Sequence, residues 1–158
     1  MTILSDSVAV RLGAVGWSNP AWSETFYPAD MPQEWQLTYF NTQFHCVFLP
    51  QAFWRQASSD QIAQWNADTH AQFRFLLEST KEAAVQPSLP AELGEKAELV
   101  QPDDAALLWF TRDSSLKDLA AALSGNSGVA PRYAISRDGD LGQMERVATL
   151  LEVMGLAG

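Results

Sequence analysis

The sequence is poor in the residues that staple, ligate or grip phosphate. It has one cysteine, Cys46, so no internal disulfide forms; that absence suits a reducing compartment. Two histidines, His45 and His70, show no H-E-x-x-H spacing and cannot assemble a zinc site with one thiol. Metal and cofactor are therefore both expected to be absent. Basic residues number 10 against 19 acidic ones, a formal net charge of −9. The acids are scattered, and a surface of that sign repels phosphate backbones and anionic lipid, so neither nucleic acid nor membrane is an expected partner. No apolar run reaches bilayer length, and "MTILSDSVAV" lacks a basic start and an apolar core; a cytoplasmic protein is expected.

Several catalytic signatures are missing too. "GNSG" (Gly125–Gly128) is not a G-x-S-x-G elbow, and "GAVG" (Gly13–Gly16) lacks the third glycine of a dinucleotide fingerprint. No G-K-[ST] phosphate loop occurs, and "DGDLG" (Asp138–Gly142) is too short for a calcium loop. His45 and Cys46 are adjacent in a strand-like run, so their side chains point to opposite faces and make a poor base–nucleophile pair.

What is present is hydrophobic, at 47% of 158 residues, enough for a core without staples. The patterning predicts one α/β domain over 1–158, with five strands alternating with helices in a mostly parallel sheet. Strands are expected in Val8–Trp17, from His45 until Pro50 stops pairing, and in Ala71–Ser79, Ala105–Arg112 and Ala130–Asp138. A helix is expected in Ala29–Phe44, capped by Asp30 with Gln33 completing a capping box. A second box, Ser58 with Gln61, opens a short helix with Ile62 and Trp65 on its apolar side. Leu116, Leu119 and Leu123 mark a helix stopped by Gly125, and Asp140 caps a last helix whose apolar face is Leu141, Met144, Val147, Leu151 and Met154. Ala83–Asp104 reads as a connection with a helical turn after Pro90; its length makes it either a covering loop or the site of an unseen element.

The most unusual stretch is "VGWSNPAWSETFYP" (Val15–Pro28), which places Trp17, Trp22, Phe26 and Tyr27 in what reads as a loop. It forms either a binding mouth or a hydrophobic plug. In parallel α/β folds ligands sit beyond the carboxyl ends of the strands. Trp17, Trp22, Tyr27, Trp54, Glu78 and Arg137 fall at such ends and are the ligand-binding candidates; no catalytic residue is identified. Phe26 and Phe53 are expected to plug the sheet.

"GWSNPAWSETFYPADMP", followed by Trp35, "YFNTQF", Phe53-Trp54, Trp65 and Phe73/Phe75, resembles the opening of the YecE-like domain of unknown function. The resemblance covers about half the chain and thins after Lys81. It implies a TIM-barrel-like fold and no settled activity. Polar positions of the family are replaced here: Phe48 and Pro50 stand at its Glu-x-Asn, Glu78 at a Lys, Phe110 at a Gln and Ile135 at a Glu, with Arg137 kept. Five strands make an incomplete barrel, since closure needs eight strand–helix units. Open edges favour a homodimer. The stripped mouth points to a non-catalytic binding or interaction module with a small-molecule ligand. The alternative is a small enzyme using Glu78 and Arg137 on an anionic or sugar-like ligand.

Overall fold

Pro50 ends a strand and opens a helical turn, and the same logic of local stops organises the rest of the chain. The computed structural model describes residues 10–79, 89–125 and 130–157. The expected strand start at Val8, the first part of the 83–104 connection and most of "GNSG" lie outside them. Backbone contacts divide the chain into two compact units, one from 1–14 and 103–158, the other from 15–102. Among the described residues no helix is long and apolar enough to cross a membrane.

The first unit holds strand β1 (Arg11–Val15), which begins there and runs into the second unit at Val15. The second unit continues with β2 (Cys46–Leu49), β3 (Arg74–Glu78) and β4 (Ala97–Val100); β5 (Leu107–Phe110) and β6 (Tyr133–Ser136) complete the first. In the first unit β6 pairs with β1 and β5, all parallel, with Ala134 opposite both Leu12 and Leu108. In the second, β3 pairs with β2 and β4, also parallel, with Leu76 between Phe48 and Glu98. The fold is α/β with parallel strands, as expected, but the described residues form six strands rather than five. The added strand is β4, inside the segment read as a connection. Its two end residues are buried and its two middle ones half-buried, with no alternation, and its order comes from hydrogen bonding to β3, which local pattern does not reveal.

The helices are α1 (Gln36–Gln43), the single turn α2 (Gln51–Trp54), α3 (Ser59–Ala67), α4 (Leu116–Leu123) and α5 (Leu141–Val153). Asp30 does not cap α1. It adopts φ 67° in a turn closed by the Met31 amide on the Pro28 carbonyl (3.2 Å). Pro32 disfavours helical backbone at the residue before it, so helical geometry starts with a 3₁₀ turn at Gln33–Trp35.

The other caps form as the sequence indicates. Ser58 Oγ accepts from the Gln61 amide (3.2 Å) while Gln61 Oε1 accepts from the Ser58 amide (2.8 Å). Asp140 Oδ2 accepts from the Gln143 amide (2.9 Å). Each such cap is worth about 1 kcal/mol. Gly125, at φ 75°, follows the end of α4 in the left-handed conformation that glycine adopts freely.

Packing differs between the units. In the first, Leu119 and Leu123 of α4 and Met144, Val147 and Leu151 of α5 are buried; Leu116 is partly exposed. In the second, rings do the filling. Trp22, Phe40, Phe73 and Phe75 are all buried at 1% exposure or less. Trp22 stacks on Phe40 of α1 (centroids 5.8 Å, 21°), and Phe40 meets Phe73 edge-on at 6.2 Å. Such pairs add about 0.5–1.5 kcal/mol each beyond area burial.

Candidate functional site

The loop after β1 is built to bury its rings. Asn19 Oδ1 accepts from the Ala21 amide (2.9 Å) and folds Pro20–Trp22 into a 3₁₀ turn that drives Trp22 inward. Phe26 packs against Tyr39 (5.1 Å) and Phe44 (5.4 Å). Tyr27 is buried and its hydroxyl donates to the Trp17 carbonyl. Burial, with Tyr39 adding a smaller electrostatic push, raises the Tyr27 pKa far above the usual phenol value, so it stays a neutral donor. Most of the stretch is therefore a plug. Trp17 alone among its tryptophans keeps part of its ring at the surface.

The other candidates carry structural contacts. Trp54 is buried, and its indole N–H donates to the Glu78 carbonyl (3.1 Å). Glu78 Oε1 accepts from the Gln51 amide (2.9 Å), so its carboxylate caps the first turn of α2. That bond replaces the side-chain cap that Pro50 cannot supply. Arg137, in the first unit, lies over the Trp109 ring at 4.2 Å, a cation–π contact. Phe48, Phe110 and Ile135, the apolar residues at positions where the resembled family is polar, are all buried. Beside Arg137, Asp138 is the most fully hydrogen-bonded acid of the loop after β6. Burial tends to raise its pKa, but the Arg112 (2.9 Å) and Asp140 (3.1 Å) amides and the Ser136 hydroxyl outweigh that and hold it below the usual value.

Of the six candidates, Trp17 lines a cleft beside α3. The cleft, about 440 Å³, is lined by Trp17, Trp65, Gln61, Gln64, Glu34 and Asp68 among others. Trp17 meets Trp65 edge-on at 5.4 Å and Phe53 at 5.9 Å; Phe53 and Trp65 are parallel at 5.7 Å. Phe53 does not plug the sheet, since half of its surface is exposed. The polar wall comes from α3. Gln61, Gln64, Trp65 and Asp68 recur at i, i+3, i+4 and i+7, the spacing of one helix face. This pattern was available in the sequence, where Trp65 reads instead as a core residue beside Ile62.

Two polar side chains hold the end of that face in place. Buried Asn41 of α1 donates to the Asp68 carbonyl (3.3 Å) and accepts from the His70 amide (2.9 Å). Lys96 Nζ donates to the Asn66 carbonyl (2.9 Å), the Thr69 carbonyl (2.8 Å) and the Thr69 hydroxyl (3.1 Å). A cation on the last carbonyls of a helix opposes the negative end of its dipole. Desolvation, and then the charge of Arg74, lower the Lys96 pKa.

The profile of the family described as protein of unknown function DUF72 matches residues 11–125. The chain belongs to the DUF72 family. This agrees with the YecE-like resemblance of the opening stretch and extends it past Lys81 to Gly125. No curated protein and no solved structure matches the chain. The DUF72 description carries no activity, so the chemistry of this member rests on its own residues. Among the described residues no three His, Cys, Asp or Glu side chains are placed to share a metal ion.

Proposed function

We propose that this DUF72 chain is a non-catalytic binding module whose ligand enters the cleft between Trp17 and Trp65. The observation that carries the reading is the lining itself: half-buried indoles beside carboxamides and carboxylates, in a cleft of about 440 Å³. Mixed aromatic and polar walls of that size are what small-molecule sites have. Catalysis loses support because the groups it needs are committed elsewhere. Glu78 caps α2, Tyr27 is a buried donor to Trp17, and Arg137 lies on Trp109. Trp22, 1% exposed, offers no surface for a partner protein to dock on.

The test is a titration of the protein with small sugars, amines and carboxylates, followed by tryptophan emission and calorimetry. Saturable binding by at least one class is expected. It should weaken about tenfold in Trp17→Ala or Gln64→Ala and be unchanged in Glu78→Gln. If no class binds, this reading falls; if Glu78→Gln abolishes binding while Gln64→Ala spares it, this reading falls and the strand-end alternative gains.

A further inference from the structure

A second cavity adjoins the cleft at its polar wall. Glu34, Gln64 and Asp68 also line an adjoining lobe of about 720 Å³, whose other side includes Trp35 and Tyr39. The same three side chains thus stand between two aromatic walls, Trp17 with Trp65 on one side and Trp35 with Tyr39 on the other.

Three features define what fits. Trp35 is 60% exposed, whereas Trp22 and Trp54 are 1% and 4% exposed. Leaving so large a ring in water forgoes most of the stabilisation its burial would bring, and a bound group that covers it recovers part of that. Next, the wall is anionic. Asp68 receives the Gln64 carboxamide (2.8 Å) and, among the described residues, no cationic side chain; Glu34 is exposed beside it. Finally, Asp68 is the C-cap of α3. A carboxylate there sits at the negative end of the helix, where the macrodipole favours positive charge. Lys96 donates to the Asn66 and Thr69 carbonyls, and Asp68 lines the cleft. Carboxylates beside indole faces form the arrangement that holds ammonium groups by Coulomb and cation–π attraction together. An anionic ligand would meet repulsion from both acids and from a chain of net charge −9.

We propose that these two adjoining cavities bind a small organic cation, an amine or quaternary ammonium, seated against the indole of Trp35 or of Trp17 with Glu34 and Asp68 as its counter-charge. The inference rests on the reading of this cleft as a binding site and adds the sign and class of the ligand.

Calorimetric titration of the full chain compares choline with its uncharged isostere dimethylbutanol, and butylamine with butanol. In at least one pair the cation should bind about tenfold more tightly than the neutral partner. Glu34→Gln should reduce cation binding about tenfold, and Trp35→Ala should reduce it as well. Both residues are exposed, so the variants are expected to fold, checked by circular dichroism. Added salt should weaken the cation and leave the alcohol unchanged. If cation and isostere bind equally and both are lost in Trp17→Ala, the cleft is a binding site and the charge inference is overturned. If Glu34→Gln and Asp68→Asn leave cation binding intact, it is overturned too. If sugars or carboxylates bind and neither ammonium does, the ligand class is wrong. If no probe of any class binds, the binding reading and the cation inference fall together.

Discussion

Five tryptophans and seven phenylalanines fall in the unit of residues 15–102, against Trp109 and Phe110 alone in the unit of 1–14 and 103–158. Both units cover parallel strands with helices. The first-named does it with rings, the second with leucine, valine and methionine along amphipathic helices. The consequence is functional. Aliphatic side chains fill a narrow stripe and leave a polar surface outside it. Aromatic rings are large, stack on one another, and leave members of the cluster only partly covered, as Trp17, Phe53 and Trp65 are. The same composition that makes a core therefore also makes a cleft. The DUF72 match takes in the whole of the aromatic unit and only part of the other.

The comparison is sharpened first by core truncations. Phe40→Ala removes the ring on which Trp22 stacks and should cost about 3–5 kcal/mol in denaturant unfolding, whereas Leu123→Ala in α4 should cost about 2–4. A larger loss at Leu123 would break the claim that rings carry more of the packing. Tyr27→Phe comes next. It leaves the Trp17 carbonyl without its hydroxyl donor, a loss of about 1–3 kcal/mol, and Trp17 emission should shift in the folded protein. Ser58→Ala and Asp140→Ala are smaller, about 1 kcal/mol each. They should be alike, because capping is local and indifferent to whether a helix covers rings or leucines.

The smallest effect is pH-dependent and belongs to the aliphatic unit. The folded-state pKa of Asp138 lies below its unfolded value of 3.8. The carboxylate therefore contributes stability that is present above that value and is lost as pH falls through the lower, folded pKa. Asp138→Asn should flatten the acid limb of the stability curve below about pH 4 and change nothing at pH 7 beyond a constant offset.

What was legible in the sequence is what short-range chemistry decides. Pro50 as a strand stop, the Ser58/Gln61 box, the Asp140 cap and the Leu119/Leu123 face each depend on neighbours a few residues away. Strand β4 was not legible, because Ala97–Val100 becomes a strand through β3, some twenty residues earlier. The start of α1 was misplaced because Asp30 and Gln33 match a capping box in spacing, while Pro32 between them vetoes the backbone it needs.

The site was legible only in part for a related reason. Trp17, Trp22 and Trp54 look alike in a sequence. Whether each ring ends inside depends on Phe40, Trp65 and the Glu78 carbonyl, partners more than ten residues away. Strand-end position picked out Trp17 and also the structural residues Glu78 and Arg137. The face of α3 bearing Gln61, Gln64 and Asp68 was there in the spacing, but nothing local marks a polar helix face as the wall of a cleft.

The central claim is that ligand chemistry in this chain belongs to the partly exposed indoles of the aromatic unit and to none of the buried ones. Its most direct test is an NMR spectrum of the six indole N–H groups, recorded as choline, or whichever ligand class binds, is added. The account predicts that the Trp17, Trp35 and Trp65 signals move together and saturate, while those of buried Trp22 and Trp54, and of Trp109 in the aliphatic unit, stay fixed. Movement of Trp54 or Trp109 with Trp17, Trp35 and Trp65 unmoved would contradict it, because the ligand would then sit with Glu78 or Arg137.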